Sequence, residues 1–386
     1  MASRRRVTIA LYALAAFLFW MGQYIYLPTL PTYVQTKSDN LALVGYVLSM
    51  YGLWQAIIRL PLGIAVDWLG RRKPFIVAGL ATAGVGAWVT GTSDSVGGLA
   101  FGRAITGIAA GTWVPLVVAF SALFPPREAV RASALIMFFN SVGRILATAV
   151  TGALNDWGGY SLAFFVATSI AAISTIIILP IREPRHSSQR PNAESIGRLI
   201  TRRDVLLPSL INMLGLYIVG GISFGFLPVL AKQMGATNML QSALVTLHIA
   251  LAALGNFIAS ASSRRISAQK VLYLSFGLVS VGLVFAAFSP ALIILFAAPI
   301  LIGLGMGLSY PILVGMSIQN VDDSERTMAM SVHQSVHAIG LFAGPALSGV
   351  IADALGIQLM FGVTLSLCLL ALLVTRGLGA EKSERI

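Results

Sequence analysis

The sequence predicts an all-α polytopic membrane protein of twelve transmembrane helices, in two pseudo-symmetric six-helix bundles with both termini cytoplasmic. Three observations carry this: an apolar excess, twelve long apolar runs and positive charge on one side. Of 386 residues, 57% are hydrophobic and 10% charged, and the mean hydropathy is +0.84. Soluble domains average about 45–50% apolar and roughly 25% charged residues. The excess excludes a soluble enzyme, a disordered chain and a disulfide scaffold. A net charge of +12 would suggest nucleic acid in a soluble protein. Basic loops on one face of a membrane give the same sum, so no nucleic-acid partner is expected. The single cysteine, Cys368, can build neither an internal disulfide nor a Cys-based metal site.

A helix needs about 20 apolar residues to cross a bilayer. The first six runs are 8–33, 42–66, 74–92, 98–122, 133–154 and 160–180. The next six are 205–230, 240–262, 270–288, 291–317, 328–352 and 357–375. Arg4-Arg5-Arg6 before the first run resembles a signal-peptide n-region. The stretch from Val7 to Tyr33 is too long for a signal core and lacks a small-residue cleavage site, so it is expected to stay as helix 1. With the N-terminus inside, 21 of 26 Lys and Arg fall on the inner side and only Lys37 and Lys232 outside. The other three, Arg59, Arg103 and Arg144, lie within helices. This bias predicts a multi-pass protein of the inner membrane, with its basic loops against anionic inner-leaflet lipids.

The polar segment 182–203 holds Pro184, Pro191 and six arginines. It reads as a cytoplasmic linker between an N-terminal bundle, 1–181, and a C-terminal bundle, 204–386. An internal repeat supports the division. Gly107-x3-Gly111-x3-Pro115 recurs as Gly303-x3-Gly307-x3-Pro311, an offset of 196. Gly152-x3-Asp156 recurs as Gly349-x3-Asp353, an offset of 197, and Leu27-Pro28 has a counterpart in Leu227-Pro228. Their order and near-constant spacing predict two parallel repeats.

Between helices 2 and 3 stands Gly63-Ile-Ala-Val-Asp67-Trp-Leu-Gly70-Arg71-Arg72-Lys73. Gly63 would let helix 2 approach a neighbour. Asp67 is an acid at a helix end, Gly70 permits a tight turn, and the basic run suits the inner leaflet. The segment resembles the signature loop of the major facilitator superfamily, G-x-x-x-D-x-x-G-R-[RK]-[RK], at every key position. Arg103-x3-Gly107-x3-Gly111 in helix 4 resembles a second motif of that family. The resemblance spans the chain through the 6+6 topology and implies a monomeric secondary transporter of the drug:proton antiporter branch. It also implies a latch favouring the outward-open state, built from Gly63, Asp67, Gly70, Arg71 and Arg72, with Arg131 as the partner of Asp67. The corresponding loop between helices 8 and 9, Ser262-Ser263-Arg264-Arg265, has lost both Gly and Asp. Two further departures weaken the antiporter part: helix 5 has no Gly-Pro, and helix 1 carries Gln23 and Tyr24 where drug antiporters often bury an acid.

All 14 acids lie in loops or at helix ends, so the ionisable groups at membrane depth are Arg59, Arg103, Arg144, His248, His333 and His337. Such groups are costly in a bilayer and usually functional. Arg144 lies near the middle of helix 5, too deep for easy snorkelling, with Asn140, Thr148 and Thr151 on its face. A central cation without an acidic partner predicts a substrate with an anionic group. His333 and His337 share a face of helix 11 and are expected opposite Arg144 and Asn140. Histidine titrates near neutral pH, so His333, His337, His248 and, by the resemblance, Arg103 are proton-coupling candidates. As an alternative, His333 and His337 would chelate a transition metal; otherwise no metal or cofactor is expected. Gln23, Tyr24, Trp113, Asn212, Tyr217, Tyr310 and Gln334 complete the expected substrate-lining set. No nucleophile with a base and no deep acid pair occurs, so an enzyme is not expected. The expected function is alternating-access transport of a small organic solute, anionic or amphipathic, with proton-coupled export first and organic-anion uptake or lipid transport next.

Overall fold

The computed structural model describes residues 2–125, 128–181, 183, 193–262, 266–322 and 325–375. All regular secondary structure among them is helical. The chain divides into two compact units. Unit 1 comprises 1–38 and 50–191, and unit 2 comprises 39–49 and 192–386.

In unit 1, α1 (Ala2–Tyr24) leads through a short 3-10 turn at Leu27–Thr29 into α2 (Leu30–Gln35). The break falls at Pro28 and Pro31, which lack the N–H that an α-helix needs. Helix α3 (Leu41–Leu69) ends at Gly70, whose φ of 62° is a left-handed conformation that glycine adopts without strain. It is followed by α4 (Lys73–Thr92), α5 (Val96–Ala110) and α6 (Trp113–Ser121). The sequence predicts one helix over 98–122. The structure breaks it at Gly111–Thr112, the place where Pro115 cannot donate to the carbonyl of Gly111. The expected spans 133–154 and 160–180 are two helices joined end to end, and α7 (Ala129–Ile178) denotes the pair. Its backbone departs from helical at Gly158 and at Gly159, φ 73°. Helix α1 packs on α7, and α4 packs on α5 and α7. Tyr12, Phe19, Leu80, Leu116, Phe120 and Ile136 lie in the core they close.

In unit 2, the expected linker contains a helix, α8 (Ala193–Thr201), docked through fully buried Leu199 on Val205, Val321 and Ala329. Helix α9 (Arg203–Tyr217) passes into a π-wound stretch, Ile218–Phe226, just before Pro228, and continues as α10 (Leu227–Gln233). The remaining helices are α11 (Asn238–Ser262), α12 (Ala268–Phe288), α13 (Leu292–Leu295), α14 (Ala297–Ile318), α15 (Arg326–Leu355) and α16 (Ile357–Val374). Helix α14 packs on α11, α12 and α9, and α15 packs on α9. The start of α3 belongs here: the Asp353 carboxylate accepts Leu41 N–H at 3.0 Å and Asn40 Nδ2 at 3.3 Å.

Ten helical spans among the described residues are long and apolar enough to cross a membrane, counting the bent Arg131–Ile178 as one. Ile357–Leu373 is apolar but shorter. Phe257, Phe288 and Ile293 are each more than 70% exposed, as befits side chains solvated by hydrocarbon rather than water.

The repeat read from the sequence reappears as matched contacts inside each unit. A Cβ on Gly107 would overlap the Tyr51 carbonyl, and one on Gly303 would overlap the His248 carbonyl. Likewise, Gly143 abuts the Phe17 carbonyl and Gly340 the Met213 carbonyl. Backbones approach this closely only where the side chain is a hydrogen.

Candidate functional site

Each unit carries one polar cluster at the depth of its apolar helices. In unit 1, α7 holds Arg144 beside α1. The guanidinium carbon lies 4.3 Å from the ring centroid of Tyr24 and 5.9 Å from that of Trp20. Trp20 packs in turn on Tyr24 at 5.7 Å and edge-on against Trp113 at 5.2 Å. Stacking on an aromatic face contributes about 0.5–2 kcal/mol and uses the plane of the guanidinium, leaving its edge to donate. Arg144 Nε, Trp20 Nε1 and Asn140 Oδ1 are buried without a hydrogen-bond partner among the described residues. A buried polar atom left unpaired costs about 1–3 kcal/mol. A charged donor and a neutral donor on neighbouring side chains suit an anionic oxygen, and Asn140, one turn earlier on α7, adds an acceptor.

The rest of the expected polar face is engaged within the fold. Thr148 donates to the Arg144 carbonyl at 3.0 Å, and Thr151 donates to the Ile25 carbonyl at 2.7 Å. Both threonines are fully buried, so the face narrows to Arg144 and Asn140. Gln23 is also held internally, donating to the Thr106 carbonyl at 3.2 Å and accepting from Tyr26 at 3.4 Å. Its amide ties α1 to α5.

Arg103 is buried, at 4% exposure, and does not snorkel. Its guanidinium carbon lies 4.6 Å from the Tyr51 ring centroid and 5.9 Å from that of Tyr26, and Nη1 donates to Tyr26 Oη at 3.4 Å. Two rings thus flank the cation, and Arg103 Nε is buried without a hydrogen-bond partner among the described residues.

In unit 2, Asn212 of α9 stands between the two histidines of α15. Its Nδ2 lies 2.9 Å from His333 Nε2 and 2.7 Å from His337 Nδ1. Ser209 Oγ lies 3.0 Å from His333 Nδ1 and donates to the Val205 carbonyl at 2.6 Å. His333 is fully buried and His337 half-buried. Gln334 donates to Tyr310 Oη at 3.4 Å, and the Tyr310 ring sits 5.8 Å from that of His337. Tyr217 accepts from Ser348 at 3.3 Å, away from the histidines on the same two helices. His248 packs edge-on against Phe224. No group of three or more His, Cys, Asp or Glu side chains is gathered among the described residues, so His248 does not complete a metal triad with His333 and His337.

At the loop read as a latch, the Asp67 side chain lies outside the described residues. The expected Asp67–Arg131 contact therefore lies outside them too, and Arg131 pairs with Glu128 at 3.6 Å on its own stretch of chain. Gly63 is exposed, and a Cβ there would meet nothing within 4 Å among the described residues. Arg71 is exposed. The start of α4 is capped by an acid from 110 residues away: Glu183 accepts the backbone N–H of Arg72 at 2.9 Å and of Lys73 at 2.7 Å. A carboxylate complements the positive end of the helix dipole. Lys73 Nζ donates to the Leu179 carbonyl at 2.6 Å.

Sequence reading missed Trp20, Tyr51, Ser209 and Glu183. Trp20 precedes Tyr24 by four residues, and Ser209 precedes Asn212 by three. These spacings put each pair on one helix face, and that signal was available.

An all-helical membrane protein built from two repeated units, with charged and titratable groups held at depth, defines the class of polytopic solute carriers. The sequence pattern of the Major Facilitator Superfamily matches residues 12–237 and 209–385, and the chain belongs to that family. Over 88 residues the chain is 40% identical to the inner membrane transport protein YajR of Escherichia coli, a match covering 22% of this chain and 19% of that protein. It is 27% identical over 207 residues to multidrug resistance protein 1 of Bacillus subtilis, covering 53% of this chain and 52% of that one. Among solved structures, the nucleoside transporter NupG superposes with a TM-score of 0.80 at 14% identity, covering 96% of this chain and 98% of that one.

Proposed function

We propose that the chain is a proton-coupled exporter of small amphipathic organic solutes that bear an anionic group, working by alternating access. The observation that carries the substrate class is Arg144. It is a cation at membrane depth, stacked on Tyr24, with Nε unpaired beside the unpaired Nε1 of Trp20. A carboxylate or similar oxyanion satisfies both donors, and the Trp20–Tyr24–Trp113 surface suits an attached apolar body. Export draws on the relative named for multidrug resistance. Proton coupling draws on the family resemblance and on the titratable pair His333 and His337. The protein is taken to act as a monomer in the inner membrane with both termini cytoplasmic, its basic loops against anionic lipid.

Reconstituted protein in liposomes tests this with a panel of amphiphiles of matched size, carrying a carboxylate, a quaternary ammonium or no charge. Under an imposed pH gradient, the carboxylates move against their own gradient, and Arg144→Ala stops them. Transport confined to the cations, or Arg144→Ala running at the wild-type rate, overturns the reading.

A further inference from the structure

With the Asn212 amide nitrogen facing both rings, the hydrogen bonds around it assign a tautomer to each histidine. Ser209 has one hydroxyl hydrogen, and at 2.6 Å from the Val205 carbonyl that hydrogen lies between the two oxygens. Ser209 Oγ therefore accepts from His333, and the His333 proton is on Nδ1. His333 Nε2 is then a lone pair, and it accepts one hydrogen of the Asn212 amide at 2.9 Å. The second amide hydrogen goes to His337 Nδ1 at 2.7 Å, so neutral His337 carries its proton on Nε2. One NH2 group thus holds two neutral imidazoles of opposite tautomer. Adding a proton to either accepting nitrogen places an N–H against the amide N–H. The clash is removed by turning the amide through 180°, which presents Oδ1 to both rings.

We propose that His333, Asn212 and His337 form a single-proton binding site in which protonation reverses the Asn212 amide. The incoming proton binds a ring nitrogen facing the amide. Reversal exchanges a donor for an acceptor at that nitrogen, and the other ring moves its proton to the side facing Oδ1 or loses its amide bond. A second proton would put two cations about one amide, with ring centroids 6.3 Å apart, and is disfavoured. His337, half-buried, is the point of entry; His333 is sealed. Among the described neighbours of the pair, helix α14 presents Tyr310, and α9 presents Ser209 and Asn212. At the start of the helices Asp204 is paired with Arg202, and Glu325 with Arg198 of α8. As a proton store for transport, the site rests on the proton-coupled reading; as a proton site it does not.

Nitrogen-15 NMR of histidine-labelled protein in nanodiscs tests it. The chain has four histidines, so His333→Gln and His337→Gln assign the signals. At high pH one ring should show Nδ1–H and the other Nε2–H. On acidification both rings should shift together with uptake of one proton. Asn212→Leu should make the rings titrate separately, and Asn212→Ser, smaller and still polar, serves if the leucine variant does not fold. Equal tautomers in the two rings, or independent titration in the wild type, overturn the proposal. Substrate-evoked proton flux in liposomes separates the two readings. Wild type without flux sinks proton-coupled export while the NMR still decides the site. Flux that survives His337→Gln and Asn212→Leu overturns the site as the coupling store.

Discussion

Helix α7 of unit 1 and α15 of unit 2 occupy equivalent places in the repeat, and they carry opposite chemistry. Each lays a glycine, Gly143 or Gly340, on a backbone carbonyl of the first long helix of its unit. At the repeat offset of 197, Asn140 corresponds to His337 and Arg144 to Leu341. Unit 1 therefore holds a permanent cation on aromatic rings, with donors left open. Unit 2 holds two neutral imidazoles whose facing nitrogens are occupied by an amide. Arginine does not release its proton in proteins, so it serves recognition; histidine exchanges one near neutral pH. On the proposed reading, this duplicated scaffold divides attraction of an anion from storage of a proton.

The comparison breaks most readily at Arg144. Charge-assisted hydrogen bonds contribute about 1.5–3 kcal/mol, so Arg144→Ala should weaken binding of a carboxylate amphiphile roughly 10- to 100-fold by calorimetry, while His337→Gln leaves affinity at high pH nearly unchanged. Equal losses in both variants would erase the division. The scaffold equivalence is tested by Gly143→Ala and Gly340→Ala. Each adds a methyl against backbone, and each should cost about 1–3 kcal/mol, read as matched falls in melting temperature. Tyr24→Leu removes the stacked face, and the loss should be about 0.5–2 kcal/mol of anion affinity, with the pH profile unmoved. The smallest effect is expected at Glu183→Gln. Loss of a charged cap on α4 should lower stability by about 0.3–1 kcal/mol without altering substrate affinity.

Much of this was legible before folding. An arginine in the middle of an apolar helix declares itself, because nothing else in that stretch can solvate it. The i, i+4 histidines were likewise readable as one face. What periodicity could not supply was the partner. Asn212 sits 121 residues before His333, and only packing of α9 on α15 brings its amide between the rings. Gln23, Thr148 and Thr151 read as lining residues because each is polar at depth. Folding turns them toward backbone carbonyls instead, where they satisfy the interior. Trp20 went the other way, disguised as one more apolar residue until Arg144 was laid against it.

Composition, the spacing of apolar runs and the bias of basic loops determine a membrane-spanning helical fold by themselves. They are one-dimensional properties, and a bilayer reads them directly through the cost of burying peptide groups and charges. The tertiary structure alone decided which polar side chains stay open and which are consumed. It gave Arg103 a hydrogen bond to Tyr26 beside the ring of Tyr51, and it set Arg144 against Tyr24 and Trp20, with Nε unpaired in both arginines. Whether a buried donor finds an acceptor depends on helix register across contacts a hundred residues apart, and local sequence carries no information about that register.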